Sequence, residues 1–184
     1  MFTIFRGGDD GVWRVTMQAP VSGAALPPVR YLAIEQATDL ACSVGPSESS
    51  WQLTGVASHV RYVERNEKIQ LGARQAGLGR SGATCAALIP IQKSAAWWEL
   101  TQDERRQIFE DKSHHIAGSL KYLPAIARQL YHCRDLGEPF DFLTWFEYAP
   151  TDATLFEDLV GELRRTAEWA YVTREIDFRL AAHR

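Results

Sequence analysis

The chain has 184 residues and a formal net charge of −3 at pH 7, which fits one globular unit or two small subdomains with a shared core. Its hydrophobic content of 46% and charged content of 23% are ordinary for a soluble protein. The acidic balance argues against nucleic acid or an anionic membrane surface as the main partner, because either would favour a basic face.

The three cysteines, Cys42, Cys85 and Cys133, are odd in number and show no CxxC spacing. We therefore expect neither a disulfide framework nor a zinc site, and reduced thiols indicate a cytoplasmic location. No stretch approaches the roughly 20 apolar residues of a membrane span. The N-terminus has Arg6 and two aspartates where a signal peptide would have its apolar core, so no export signal is expected.

The first half of the chain is predicted to be rich in strands. Its elements are strands over residues 2–5, 12–18, 31–34 and 51–63, a surface loop over residues 42–50, and a helix over residues 66–76. The Gly-Gly-Asp-Asp-Gly cluster between the first two strands supplies residues that tolerate positive φ. Gly55 indicates a break in the long strand, and Gly77 follows the predicted helix.

The second half follows a β-α-β-β-α-β order. Its elements are a strand over residues 86–91, a helix from the Thr101–Glu104 capping box to Pro124, strands over residues 128–134 and 140–148, a helix capped by Thr151 or Asp152, and a last strand over residues 169–180. This order is typical of a ferredoxin-like α+β unit. We expect a reduced first half over residues 1–80 and a complete second half over residues 81–184, with two sheets that enclose a space.

The histidine pair His114 and His115 is the first candidate for chemistry. On a helix the two rings point about 100° apart, so they cannot easily chelate one metal together. This favours one axial ligand, although a histidine on an apolar face is more often a core residue bonded to a carbonyl. Neither HExxH nor a paired-carboxylate spacing occurs, so a catalytic zinc is poorly supported.

Arg128 lies on a predicted strand and shares its face with Leu130 and His132. It is either an edge arginine whose guanidinium reaches water, or a fixed cation in an apolar cavity suited to a small anion. Glu168 and Glu175 are surface charges by default, but one of them could accept the second N–H of a ligating histidine. Gln75 is best explained locally as a solvated amide. The tryptophans Trp97, Trp98, Trp145 and Trp169 are expected to fill the core.

Three segments resemble one known family, the chlorite dismutases. They are GVASHVRYVER, WWELTQDERR and KSHHIAGSLKYLPAIARQLYHCRDLGEPFDFLTWFEYAP. The resemblance runs from about Trp51 to the C-terminus and depends on several motifs in order. It is strongest to the short, dimeric branch of the family, which has a truncated N-terminal half.

The resemblance implies a haem b protein built from two ferredoxin-like halves and assembled as a homodimer. The reaction it implies is conversion of chlorite to chloride and dioxygen through a ferryl/hypochlorite intermediate. His115 matches the proximal iron ligand and Arg128 matches the catalytic distal arginine. The other matches are Glu168 as the carboxylate bonded to the proximal histidine, Gln75 as the distal glutamine, Lys93 and Tyr62 near the haem propionates, and Trp97 and Trp98 as the tryptophan pair near the haem.

Two features depart from the longer, pentameric members of the family. Position 175 is a glutamate where those proteins carry a tryptophan, and the helix between Trp98 and His115 is longer, so a pentamer is not expected. Two alternatives stay open. A coproheme decarboxylase-like relative shares the fold but as a rule lacks the distal arginine. A haem-binding or sensing protein, or a barrel without a cofactor, would need no catalytic residue.

Overall fold

The computed structural model describes residues 1–39, 49–57, 64–114 and 118–183. The strands are β1 (Phe2–Gly8), β2 (Trp13–Ser22), β3 (Tyr31–Ala37), β4 (Trp51–Ala57), β5 (Cys85–Lys93), β6 (Ala127–His132), β7 (Phe142–Tyr148) and β8 (Val172–Ala182). The α-helices with described bounds are α1 (Arg65–Arg74), α2 (Ala95–Glu99), α3 (Gln102–Arg106) and α4 (Ala153–Leu163). Among these, no helix is both long enough and apolar enough to cross a membrane.

The strands form a closed antiparallel barrel in the order β1-β3-β2-β8-β5-β7-β6-β4. The four strands of the first half are neighbours in this order, and so are the four strands of the second half. The predicted α+β class, with its sheets joined into a barrel, is therefore confirmed. The second half also has the predicted β-α-β-β-α-β order. The division of the chain into domains between residues 80 and 81 stays a prediction.

Large apolar side chains fill the inside of the barrel. The interior cluster includes Phe5, Leu53, Leu88, Leu143, Trp145 and Phe178. The Phe5 and Trp145 rings lie 5.8 Å apart between centroids, within the range in which aromatic pairs attract each other. The space expected between the two sheets is thus occupied by core, and that expectation is wrong. The described part of the barrel interior therefore offers no space for a ligand, and the candidate site lies on the outer face.

A second apolar cluster lies on the outer face of the second-half strands, beneath α4. Phe156, Leu159 and Val160 of α4 are buried there against Phe146 and Tyr148 of β7. Because these helix residues follow one stripe, the sequence predicted the helix correctly. Each fully buried side chain contributes about 1.5–3 kcal/mol relative to an exposed one. The helix is held mainly by this burial and covers only part of the sheet face.

The single helix predicted between Thr101 and Pro124 is wrong. The capping box is present, since the Glu104 carboxylate accepts the Thr101 backbone N–H at 2.8 Å. However, α3 is followed at once by a π-helical stretch over Gln107–Lys112, and a short 3₁₀ turn over Leu120–Tyr122 precedes Pro124.

A side-chain hydrogen bond explains where this helix changes. The Ser113 hydroxyl donates to the Ile108 carbonyl at 2.6 Å, so it competes with the backbone N–H groups for that acceptor. A π-helical turn is commonly found at functional sites. The segment that follows, residues 115–117, includes His115 and lies outside the described residues.

Gly55 does not break β4, which is continuous from Trp51 to Ala57. A Cβ atom at Gly55 would lie 2.7 Å from the Cβ of Tyr131. The glycine therefore allows β6 to approach closely, and the predicted break is wrong. Residues 58–63 of the predicted strand and residues 42–48 of the predicted loop are outside the described residues.

The last strand begins later than predicted. Ala167–Tyr171 form a 3₁₀ helix, and β8 starts at Val172. The sequence suggested a strand from residue 169 because apolar residues alternate, imperfectly, with charged neighbours along this stretch. In the folded chain the helical turn instead carries Glu168, which is buried.

Candidate functional site

Six side chains of β6 and β7 line one outer face of the barrel, which is open at Leu130 and covered by α4 at Phe146. Alternate residues of a strand point to the same side, and the register places the two sets opposite each other. The pairs that we call the β6–β7 patch are Arg128 with Phe146, Leu130 with Thr144, and His132 with Phe142. Leu130 is 36% exposed, so the described residues do not cover the middle of the patch as α4 covers Phe146.

β6 is not an edge strand, because it lies between β7 and β4 in a closed barrel, and its described pairs with β4 are at Tyr131 and His132. The Arg128 guanidinium is partly buried, and Nη2 donates to the Ser119 hydroxyl at 3.1 Å. Burial lowers the pKa of Arg128, but an arginine in a protein stays protonated at neutral pH. The structure therefore places a fixed cation at one end of the β6–β7 patch.

Gln75 reaches Arg128 from the loop after α1. Its side chain is exposed, as the local pattern indicated, but its amide donates to the Arg128 carbonyl at 2.8 Å. The same loop is fixed further along, where Arg80 Nη2 donates to the Ala125 carbonyl at 2.7 Å and the Gly79 backbone N–H donates to Glu147 Oε2 at 2.5 Å. The loop is thus attached to the start of β6 and holds Gln75 beside the arginine.

Lys93 and Glu168 form a buried ion pair away from Arg128. The Lys93 Nζ lies 2.7 Å from Glu168 Oε1. Burial lowers the pKa of Lys93, and the Glu168 charge partly offsets this effect. The Lys93 ammonium also lies 4.4 Å from the centroid of the Trp97 ring, a geometry that favours a cation. The surface position expected for Glu168 by default is wrong.

Trp97 and Trp98 are presented by α2, which begins after Ser94. The Ser94 hydroxyl oxygen accepts the Trp97 backbone N–H at 3.4 Å, a common way to start a helix. Trp97 is buried, and its indole Nε1 has no hydrogen-bond partner within the described part of the chain. A buried donor of this kind calls for an acceptor.

Trp98 links the β6–β7 patch to the ion pair. Its ring stacks on Phe142 with centroids 5.9 Å apart, and its indole N–H donates to Asp141 Oδ2 at 3.3 Å. The same carboxylate oxygen accepts the Lys93 backbone N–H at 2.6 Å. The Arg134 guanidinium lies 3.9 Å from the Trp98 ring centroid. Trp98 is therefore more than core filling, because it borders the open surface.

Two of the predicted site residues, Tyr62 and His115, lie outside the described residues. The residues just before His115 are described, and Ser113 contacts the backbone of Glu168. The Glu168 backbone N–H donates to the Ser113 hydroxyl oxygen at 3.2 Å. His114 is exposed and has a φ of 49°, a left-handed conformation that is uncommon outside glycine.

The described residues fit a planar, largely apolar cofactor with acidic groups. The β6–β7 patch supplies an open, partly apolar surface with a cation at one end. Trp97 supplies a buried N–H without an acceptor among the described residues. Glu168 supplies a buried carboxylate next to a histidine-containing segment. These are the groups that an imidazole-ligated haem with propionate side chains would use.

Three residues of this region had no signal in the sequence. Ser119 contacts Arg128, and Ser113 and Asp141 bind backbone groups next to the ion pair. A serine in a turn and an aspartate after a loop are ordinary local features.

Glu175 was assigned to the surface by default, but its side chain is 1% exposed. Only its neighbours in the folded chain distinguish it.

Comparisons with known proteins agree on one family. A family model described as chlorite dismutase matches residues 34–184. A chlorite dismutase of Ideonella dechloratans is 30% identical over 135 residues, which is 70% of this chain and 44% of that relative. The chain therefore spans less than half the length of that protein.

Solved structures extend the comparison to the fold. A dimeric chlorite dismutase from Nitrobacter winogradskyi is 67% identical, with a TM-score of 0.91 over 98% of this chain and 99% of that chain. A chlorite dismutase from Candidatus Nitrospira defluvii, solved in complex with imidazole, has a TM-score of 0.69 over 98% of this chain and 90% of that chain. At 19% identity, the second likeness shows the fold alone.

The barrel and the outer patch define an eight-stranded α+β barrel protein with a candidate ligand site on its outer face. The matched residues cover most of the chain and include every described residue of the candidate site. The chain belongs to the chlorite dismutase family.

Proposed function

We propose that this chain is a haem b-dependent chlorite dismutase, a chlorite O₂-lyase that converts chlorite to chloride and dioxygen. The observation that carries the proposal is Arg128, a fixed and partly buried cation on the outer β6–β7 patch. Family membership and 67% identity to a dimeric chlorite dismutase support the same activity. Haem b, when bound, supplies the iron centre at which chlorite is converted.

Arg128 binds and orients the anionic substrate in this proposal. A guanidinium presents several N–H donors in a fixed plane, which suits an oxyanion better than a lysine ammonium does. Its partial burial strengthens the attraction, because water screens the charge less there. The Ser119 and Gln75 contacts restrict the side chain and the backbone of Arg128. In the proposed reaction, Arg128 also keeps hypochlorite in the site until dioxygen has formed.

On the other side of the site, His115 is proposed as the iron ligand and Glu168 as the carboxylate that accepts its second N–H. Such a partner fixes the imidazole tautomer and increases its basicity. Lys93 stabilises the charged form of Glu168 from 2.7 Å away, so the carboxylate stays an acceptor.

Four further residues are proposed to contact the cofactor. Trp97, with its unpaired indole N–H among the described residues, is suited to donate to a carboxylate. Trp98 lies at the border of the patch. Tyr62 and Lys93 are proposed near the propionates, and the ion pair with Glu168 means that Lys93 would act there mainly through its charge.

A homodimer is the proposed assembly, because the relative that is 67% identical is a dimeric chlorite dismutase. Light scattering coupled to gel filtration tests this directly, and the mass of a single chain in solution would refute it. The cytoplasmic location also stays a proposal.

The central experiment combines haem loading with an oxygen electrode. The purified chain is reconstituted with haem b, and dioxygen and chloride are measured after addition of chlorite. Equal amounts of both products support the proposal. Haem binding without dioxygen release would point to a sensing role, and conversion of coproheme to haem b would point to the decarboxylase-like alternative. The Soret band of the loaded protein distinguishes all of these from a barrel without a cofactor.

A further inference from the structure

A buried carboxylate in β8, Glu175, joins two points of the connection between α4 and β8. Its Oε1 accepts hydrogen bonds from Arg164 Nη2 at 2.6 Å and from Arg164 Nε at 2.8 Å. Its Oε2 accepts the indole N–H of Trp169 at 2.8 Å. Arg164 and Trp169 lie on either side of Glu168 in the chain. One carboxylate therefore closes the turn that carries Glu168.

The position of Glu175 is itself restrained. Taking a carboxylate out of water is costly unless charge-assisted hydrogen bonds compensate it. Arg164 supplies them and also donates to Asp177 Oδ2 at 2.8 Å. Asp177 in turn accepts from Arg179 Nη2 at 2.9 Å, and Arg179 contacts Glu157 at the surface. Glu175 is thus the inner end of a charged network that starts on α4.

The effect of this network reaches the Lys93–Glu168 pair through Trp169. Trp169 follows Glu168 in the same 3₁₀ helix. Its ring centroid lies 5.6 Å from the Lys93 Nζ, so the indole forms one wall of the space around the ammonium. Loss of the hydrogen bond to Glu175 would free the Trp169 ring to rotate and would open that wall.

We propose that Glu175 is a positioning residue that fixes the Glu168–Lys93 pair by holding the Trp169 indole. Its functional consequence, a set orientation of Glu168 toward the proximal histidine, rests on the proposed haem site. Among the described residues, the two Glu175 oxygens bind Arg164 and Trp169. Glu175 therefore acts on the pair through Trp169.

The first test needs no haem. In the full chain, the rate of Lys93 acetylation by acetic anhydride is measured by mass spectrometry for the parent, Trp169→Phe, Glu175→Gln and the double variant. We expect labelling about tenfold faster in each single variant, the value of one hydrogen bond to a charged group. The double variant should be no faster than the faster single variant, because both changes remove the same contact.

The matched control is Glu157→Gln, which weakens the exposed end of the same network at Arg179. It should leave Lys93 labelling unchanged. Equal labelling of the parent and both single variants would overturn the proposal, and so would equally fast labelling of the control. Circular dichroism of each variant confirms that the comparison is made between folded chains.

The second test uses the haem-loaded protein. If Glu168 is less well oriented, the proximal imidazole becomes less basic, and the iron reduction potential should shift to more positive values. Trp169→Phe and Glu175→Gln should shift it in the same direction, and Glu157→Gln should not. Variants that melt earlier but keep the parent's potential and labelling rate would assign Glu175 a purely structural role.

The two tests separate this inference from the proposed function. A parent protein that binds no haem refutes the proposed function, whereas the labelling result still decides whether Glu175 positions the pair. A haem-loaded, active parent whose variants keep both its potential and its Lys93 labelling rate refutes the positioning role alone.

Discussion

Lys93 and Glu168 form an ion pair that is almost completely removed from solvent, with an Nζ–Oε1 distance of 2.7 Å and side chains that are 1% and 7% exposed. One residue ends β5, and the other lies in the turn before β8. Removing two charges from water costs free energy that only close geometry and further hydrogen bonds can offset. The pair is therefore sensitive to loss of either charge, and it lies where the family resemblance places the proximal side of the cofactor.

Replacing Lys93 alone should be strongly destabilising. In Lys93→Met the Glu168 carboxylate stays buried without the ammonium, and the free energy of unfolding should fall by about 3–5 kcal/mol. Lys93→Met/Glu168→Gln should recover most of this loss, because no buried charge is left behind. Urea unfolding of the three proteins measures both values. A single variant as stable as the parent would show that the pair is not coupled as its geometry indicates.

Arg128→Ala should keep haem but slow chlorite conversion by roughly ten- to hundredfold, the value of one charge-assisted hydrogen bond. The variant should also lose activity sooner than the parent, because hypochlorite escapes from the site more easily and damages the protein. Initial rate and total dioxygen per enzyme are both read from the oxygen electrode. Arg165→Ala removes an exposed arginine elsewhere and should match the parent. If Arg128→Ala makes dioxygen as fast and for as long as the parent, its assigned role is wrong.

The two histidines should respond differently to substitution. His115→Ala is expected to lose haem or bind it weakly, whereas His114→Ala should keep it. His114 is exposed and has a positive φ, so His114→Gly should bind haem and be no less stable than the parent. Titration of each apoprotein with haem b, followed at the Soret band, gives the affinities. Loss of haem in the His114 variants alone would mean that His114, and not His115, is the iron ligand.

The charged network behind Trp169 predicts an acid sensitivity. Burial raises the pKa of Asp177, but hydrogen bonds from Arg179 and Arg164 outweigh burial and hold the pKa below its usual value. A carboxyl with a lowered folded-state pKa stabilises the protein above its unfolded-state pKa, and this contribution is lost as pH falls through the folded-state value. The loss should therefore begin below about pH 4.

Asp177→Asn should remove this contribution. We expect it to lower the free energy of unfolding by roughly 1.5–3 kcal/mol at pH 7, which is the scale of a hydrogen bond to a charged group. The difference in the free energy of unfolding between the variant and the parent should be smaller at pH 3. Urea unfolding at both pH values measures this change. Asp158→Asn, an exposed change on α4, serves as the control, and a gap that stays constant with pH would contradict the prediction.

The order of the second-half elements could be predicted because the information is local. The stripe of Phe156, Leu159 and Val160 and the alternation along β7 each lie within one element. The interruption of the long predicted helix before His115 could not be predicted, because it depends on the Ser113 hydroxyl, which competes for a backbone acceptor five residues earlier. Periodicity records which residues are apolar, and it does not record this competition.

The residues of the candidate site could also be predicted only in part. Arg128, Lys93 and Gln75 could be selected through the family resemblance, whereas local patterns alone gave Arg128 two explanations and Gln75 an ordinary one. The closed barrel decides between the two explanations of Arg128, since β6 is not an edge strand. The hydrogen bond from Gln75 to the Arg128 carbonyl spans 53 positions of sequence, and no local pattern contains such a contact.

The amino-acid sequence by itself determined the α+β class, the strand-helix order of the second half and the family to which the chain belongs. Apolar periodicity and capping residues act within a few positions, so they can be recognised one element at a time. The tertiary structure alone decided that the described barrel interior is filled, that the candidate site lies on the outer face, and that Glu175 is buried beneath Trp169. Burial and the pairing of charges depend on which distant segments meet, and only the closed fold brings them together.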